Sequence, residues 1–203
     1  MIKNRYTGKT REDAINNAKI SLQELEENLY IKEIEVKNSL FNKKVEIEVI
    51  RHDDVVEYIK EYIKELVKNM GLAVNLEVKK RNDNIMYILY TDNNSILIGK
   101  NGRTLDAITT IVKQVVHKEI GEYFKFTIDV GEYKQAREQR LESLAKKVAR
   151  EVSTSKVAAK LDPMNSYERR IIHTILADNK KVTTESEGEE PNRYVVIKPK
   201  EDE

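Results

Sequence analysis

An α+β chain made of three small modules is what the sequence predicts. Stretches whose apolar residues alternate at every second position stand beside stretches with apolar residues every three or four positions. Short turns rich in Gly, Asn and Asp separate these blocks, and no long low-complexity linker or internal repeat intervenes. The expected modules cover residues 1–51, 52–130 and 131–200, with 201–203 as a frayed end.

In the first module Thr10-x-x-Asp13 has the form of a helix N-cap. Ala14, Ile15, Ala18, Leu22 and Leu25 then mark one face of a helix. Ile34 and Val36 suggest a strand, and Val45, Ile47 and Val49 alternate with Lys44, Glu46 and Glu48 as a half-buried strand does. The result is a helix on a small sheet, with Leu40-Phe41-Asn42-Lys43-Lys44 as the turn between strands. Its core is meagre enough to need support from a partner or from the rest of the chain.

The second module opens at Asp53 or Asp54, either of which can cap a helix carrying Val55, Val56, Ile59, Tyr62, Ile63, Leu66, Val67 and Met70. Gly71 ends it. Leu72, Val74, Leu76 and Val78 alternate as a strand, Asn82-Asp83-Asn84 is a turn, and Ile85–Tyr90 is a second strand. A short helical piece, Ser95–Ile98, leads through Gly99-Lys100-Asn101-Gly102 into a long helix with Leu105, Ile108, Ile111, Val112, Val115 and Val116 on one side. Phe124, Phe126, Ile128 and Val130 form a third strand, so the order is helix, strand, strand, helix, helix, strand.

The third module begins with a helix turning Leu141, Leu144, Ala145, Val148 and Val152 inward. Lys156–Leu161 is a candidate strand. Asn165-x-x-Glu168 has the form of a capping box and starts a helix through Ile171, Ile172, Ile175 and Leu176. Val182–Ser186 and Arg193–Lys198 flank Gly188-Glu189-Glu190-Pro191-Asn192 as a hairpin.

Composition narrows the chemistry. The 203 residues carry a net charge of +1, no cysteine, no tryptophan, three histidines and ten tyrosines. Disulfides, thiolate catalysis and cysteine-based zinc sites are excluded, and histidines dispersed at His52, His117 and His173 do not form a metal cluster. No apolar run approaches bilayer length and no signal-peptide core follows Met1, so a cytoplasmic location is expected. The charge is unevenly spread: residues 131–184 hold 12 basic and 7 acidic side chains, a local +5, whereas residues 185–203 hold 3 and 7, a local −4. A basic segment before an acidic end suits a surface that meets polyanions.

Gly99-Lys100-Asn101-Gly102 begins the long helix of the second module. Two glycines let the backbone approach a bulky ligand closely. Amides at a helix start favour an anion, and Lys100 and Arg103 add positive charge. Ile98, Gly99, Lys100, Asn101, Gly102 and Arg103 are therefore the first candidate site. A nucleotide-hydrolysing phosphate loop is excluded, because it needs four residues between its glycines and then Lys with Ser or Thr.

Arg169 and His173 are one helical turn apart, with Arg170 beside them. One alternative pairs Arg169 with an acid and half-buries the His173 ring. The other makes a polyanion site, in which Arg169 offers a fork of donors to phosphate and His173 hydrogen-bonds or stacks. Arg137, Arg140, Lys147 and Arg150, with Lys146, decorate the polar side of the preceding helix as an accessory basic face or a merely solvated one. Tyr167 and Tyr194 are stacking platforms or core.

The element order, the Ile96-x-Ile98 lead-in and Ile98-Gly99-Lys100-Asn101-Gly102-Arg103-Thr104-Leu105 together resemble a type II KH domain, whose loop clamps the backbone of about four nucleotides. Leu161–His173 followed by Gly188–Arg193 resembles the R-three-H domain, named for its Arg-x-x-x-His spacing, with helices on a small mixed sheet. Tyr6-Thr7-Gly8-Lys9-Thr10 and the helix after it resemble the Jag N-terminal domain. The whole chain is thus similar to the bacterial Jag family, also called KhpB. Two departures stand out: the 40–44 turn lacks the family's glycines, and the long charged linker after the first domain is missing.

The resemblance implies a non-catalytic protein without cofactor or metal that binds single-stranded RNA, or single-stranded DNA, as an RNA chaperone or post-transcriptional regulator. It further implies a small KH-domain partner protein, a role in cell division, cell shape or envelope synthesis, and, with the exposed strands of the first module, a homodimer. A protein–protein adaptor with little RNA affinity is the competing function. A phosphodiesterase using Glu168 and His173 is disfavoured, since residues five apart on a helix do not converge on one reaction centre.

Overall fold

Capping chemistry and alternation build the first sheet, and the computed structural model describes residues 1–38, 43–81 and 84–200. The turns at residues 40–44 and 82–84 and the end at 201–203 lie wholly or partly outside the described residues. Strand β1 (Asn4–Gly8) leads into helix α1 (Arg11–Leu22), whose Thr10 and Asp13 form a reciprocal capping box. A Cβ on Gly8 would lie 2.4 Å from the Ala14 nitrogen, so only glycine lets the strand turn this tightly into the helix. Strands β2 (Leu29–Asn38) and β3 (Lys43–Arg51) complete an antiparallel sheet in the order β1-β3-β2. Ala14, Ile15 and Ala18 bury against Val45, Ile47 and Val49. Leu25 does not join this face: α1 stops at Leu22, Gln23 takes a left-handed conformation, and Leu25 is exposed.

Helix α2 (His52–Asn69) follows β3 directly. Its N-cap is Arg51 rather than an aspartate, and the Arg51 guanidinium instead grips the Asp54 carboxylate at 2.8 and 2.9 Å. Asp53 and Asp54 sit in the first turn, where the helix dipole favours them. Strands β4 (Val74–Arg81) and β5 (Asn84–Thr91) are antiparallel, whereas β5 and β6 (Phe126–Val130) are parallel. A parallel pair needs a crossover, and the crossover here is α3 (Asn94–Ile98) followed by α4 (Arg103–Ile120). Val55, Ile59, Ile63 and Val67 of α2, Leu105, Ile108, Val112 and Val116 of α4, and Leu89 and Ile128 of the sheet are buried. Tyr87 is buried among them, donates from its hydroxyl to the Val56 carbonyl at 3.0 Å, and has its phenol pKa pushed up by desolvation. Ile111 is exposed instead of joining the α4 face.

Residues 1–131 cluster as one compact unit and residues 132–203 as another. Within the first, the rings of Tyr30, His52 and Phe124 lie 5.0 to 6.5 Å apart between centroids, and Lys3 pairs with Glu119 of α4 at 3.0 Å. In the second unit, α5 (Tyr133–Ser155), strand β7 (Ala159–Lys160), α6 (Ser166–Leu176), β8 (Val182–Glu187) and β9 (Tyr194–Pro199) surround Leu141, Ala145, Val152, Ile172, Leu176, Val195 and Ile197. Leu144 is exposed, a departure from the expected inward face. The sheet order is β7-β9-β8 with both pairings antiparallel, so this sheet is not mixed; β7 is only a short strand within the Lys156–Leu161 segment.

Candidate nucleic-acid interface

The glycine turn is built by interrupting a helix. The Gly99 amide donates to the Ser95 carbonyl at 2.8 Å and closes α3, after which Gly99 turns to φ 69°, ψ −177°, a region open essentially to glycine. A Cβ there would sit 2.1 Å from Thr104 Oγ1. Asn101 (φ 54°) and Gly102 (φ 79°) are left-handed as well, and Gly102 is the N-cap of the 18-residue α4 with no side-chain cap. Positive φ at three of the four residues 99–102 accompanies Lys100 and Arg103 side chains that stand exposed. Ile98 and Asn101 are half-buried, Gly102 is buried, and Leu97 anchors α3 from beneath. The amides at the start of α4 and two exposed cations make a place for an anion, and Asp106 in the first turn supplies the dipole with a resident negative charge further along.

Helix α6 is organised differently. Asn165 Oδ1 accepts from the Glu168 amide at 2.9 Å, and Glu168 Oε2 accepts from the Asn165 amide at 3.3 Å. The other Glu168 oxygen accepts from Arg137 Nε at 2.7 Å, so Arg137 ties α5 to the head of α6. Arg169 is only 8% exposed. Its Nη1 donates to the Met164 carbonyl at 3.3 Å and to Glu190 Oε1 at 2.8 Å, pinning the hairpin turn to the helix. Of the two alternatives open for Arg169, these are the internal contacts. His173 has Nδ1 2.7 Å from Thr184 Oγ1 and Nε2 2.8 Å from Ser186 Oγ. A neutral ring with one hydroxyl donating and the other accepting satisfies both. Partial burial, helped by the Arg169 charge, holds the imidazole below its ordinary pKa, which keeps that neutral form at pH 7.

Arg170 is exposed beside this pair, and Tyr167 is 63% exposed on the same first turn. Tyr194 is half-buried with Lys160 Nζ 3.8 Å from its ring centroid, so one face of that ring already holds a cation. The expected accessory face of α5 divides. Arg137 leaves it for Glu168, Arg140 folds onto the Ala136 carbonyl at 3.1 Å with its guanidinium 5.9 Å from the Tyr133 ring, and Lys147 and Arg150 remain exposed.

Residue spacing named Arg169 and His173 but missed the groups that engage them: Glu190, Thr184 and Ser186. The period-two placement of Thr184 and Ser186 on one face of β8 was the available signal. Glu168, the residue a phosphodiesterase would need beside His173, is buried and committed to the cap and to Arg137. Among the described residues no group of three His, Asp or Glu side chains could hold a metal, and no helix is long and apolar enough to cross a membrane.

Comparison with known proteins finds two families. The KH domain described as KhpA/KhpB matches residues 56–128, and the R-three-H domain matches residues 139–199. Relatives carry the name RNA-binding protein KhpB. The protein from Clostridium symbiosum is 36% identical over 199 residues, covering 94% of this chain and 89% of the relative. That from Bacillus subtilis is 30% identical over 164 residues, 79% of each chain. That from Lactiplantibacillus plantarum is 36% identical over 128 residues, 63% of this chain and 40% of the relative.

Proposed function

Because the chain belongs to the KhpB family of RNA-binding proteins, we propose that it binds single-stranded RNA and acts as an RNA chaperone or post-transcriptional regulator rather than as an enzyme. The observation that carries this reading is the 98–103 turn: positive-φ backbone heads an 18-residue helix, with Lys100 and Arg103 exposed beside it. Ile98, Gly99, Lys100, Asn101, Gly102 and Arg103 form the backbone clamp. Such a site grips phosphates and sugars and sets affinity more than sequence choice.

In the second unit Arg169 is the brace and exposed Arg170 the phosphate contact. His173 is a neutral hydrogen-bonding group, which shares its hydroxyl partners when a ligand arrives. We retain three modules, 1–51, 52–130 and 131–200, with the first serving to hold a partner. A small KH-domain protein is that partner.

The test is fluorescence anisotropy with a labelled single-stranded RNA. Gly102→Asp places a carboxylate at the head of α4, where it repels an anion, and Asp is among the non-glycine residues that best accept the left-handed φ of 79° there. Affinity should fall on the order of tenfold or more, because the clamp supplies most phosphate contacts. Wild-type affinity in this variant sinks the clamp. Absence of measurable RNA affinity in the wild type, with a protein partner retained after nuclease treatment, replaces the reading with a protein adaptor.

A further inference from the structure

We propose that a hollow in the second unit, between α5, the end of α6 and the start of β8, binds a phosphoryl group supplied by the backbone of single-stranded RNA. The proposal rests on the RNA-binding reading above but lies outside the 98–103 turn, joining Lys146 and Arg150 of the α5 basic face to Lys181. The hollow has a volume of about 410 Å³, and its charged walls are Lys146, Arg150 and Lys181, with no carboxylate among the lining residues. That volume falls at the small end of ligand sites, enough for a phosphate with its sugar.

The commitments of these cations set the site apart from the rest of the unit. Arg137 is spent on Glu168 and Arg169 on Glu190, and Lys146 shares its charge with Glu142 one turn earlier. The Arg150 guanidinium and the Lys181 ammonium have no acidic partner among the described residues, although both face the same acid-free space. Two cations lining one acid-free hollow give it a positive potential that favours an anion.

Neutral donors complete the site. Ser153 lines it from α5, and so does Thr154, whose hydroxyl proton is already given to the Arg150 carbonyl at 3.0 Å. Asn179 presents its side-chain oxygen to the Lys181 and Val182 amides at 2.9 and 3.2 Å, which leaves its amide NH₂ as the end able to meet an acceptor. Leu176 contributes apolar floor against which a sugar can rest. Lys146, Arg150 and Thr154 follow one another at i,i+4 along α5. The site was invisible as a motif because Lys181 comes from a different element than Arg150.

A competing role exists for the same charges: Lys181 and Arg150 could merely offset the negative end of the α6 dipole. The two roles separate experimentally. In the full chain, Arg150→Glu/Lys181→Glu should weaken a single-stranded oligonucleotide about tenfold at 0.1 M salt. The slope of log K against log salt should fall in magnitude by about 0.7, the value for one phosphate contact on a single strand. Titrating wild type with the RNA should shift the amide resonances of Thr154 and Asn179 at micromolar concentration.

Gly102→Asp is measured beside it. If Gly102→Asp weakens binding while the double reversal leaves affinity and slope at wild-type values, the hollow is not an RNA subsite and the proposal falls alone. If neither variant weakens binding, the RNA-binding reading itself has failed. A lowered melting temperature with unchanged RNA affinity assigns the cations to the helix dipole and overturns the proposal. Inorganic phosphate that shifts Thr154 and Asn179 where RNA does not makes the hollow a free-phosphate site, also overturning it. Should the reversal fail to fold, Arg150→Gln/Lys181→Gln reads the same affinity and slope.

Discussion

Around Gly99–Gly102, Lys100 and Arg103 are exposed and the backbone carries the unusual conformation, whereas on α6 the backbone is ordinary helix and Arg169 is the side chain held inside. Each region contains cations placed by a motif, yet they use them for opposite ends. In the loop, positive φ at residues 99, 101 and 102 turns the chain from α3 into α4 and leaves Lys100 and Arg103 exposed beside the helix start. In α6, a guanidinium joins the helix to the Met164 carbonyl and to Glu190. A charged residue in a nucleic-acid-binding motif therefore need not be the one that meets the nucleic acid; burial and counter-ion decide which.

The largest effect expected from this contrast is on stability. Arg169→Ala removes a charged donor that is 8% exposed and strands the Met164 carbonyl, so the opening free energy of α6 should drop by about 2 kcal/mol. Amide hydrogen exchange across residues 166–176 measures it. Arg170→Ala, next along the helix but exposed, should leave that exchange within about 0.5 kcal/mol of wild type and lower RNA affinity instead. If Arg169→Ala weakens RNA binding without loosening α6, the distinction between the two regions disappears.

Much of the fold was legible because local chemistry and long-range packing agree. Thr10 with Asp13 and Asn165 with Glu168 make the reciprocal caps their spacing implied. Val45, Ile47 and Val49 alternate in sequence and all three bury. Strand β1 was not read as a strand: Tyr6 is its sole large apolar residue, and it is recruited by backbone pairing with β3, Asn4 to Val49 through Gly8 to Val45. For the site, the turn at 99–102 was readable because glycine reports backbone geometry. The fate of Arg169 was not, since Glu190 lies 21 residues away and only the hairpin brings it near. Spacing along a helix shows which side chains share a face, not what faces them.

A smaller effect sharpens the other half of the comparison. Lys100→Ala removes an exposed cation from the loop while leaving every glycine in place. RNA affinity should fall on the order of fivefold, and the salt dependence should flatten by about 0.7. Hydrogen exchange at the start of α4 should stay at wild-type rates. Faster exchange there together with unchanged RNA affinity would assign Lys100 to the fold and make the loop resemble α6.

The smallest effect concerns His173, where the two regions differ in their response to pH. Folding lowers its pKa, through burial first and the Arg169 charge second. The unfolded chain, with its imidazole near 6.5, therefore binds a proton more readily than the folded one. Stability from the neutral ring is complete above about pH 6.5. It is lost progressively as pH falls from there through the folded value, and levels off once both states are protonated. His173→Asn keeps groups able to bond Thr184 and Ser186 but cannot titrate. The difference in melting temperature between wild type and variant should hence shrink or reverse below pH 6, while the exchange rates of the 98–103 turn follow pH identically in both. An NMR titration in which the His173 ring protonates above pH 6.5 would mean that the hydroxyl pair stabilises imidazolium. In that case α6 would present a positive charge after all.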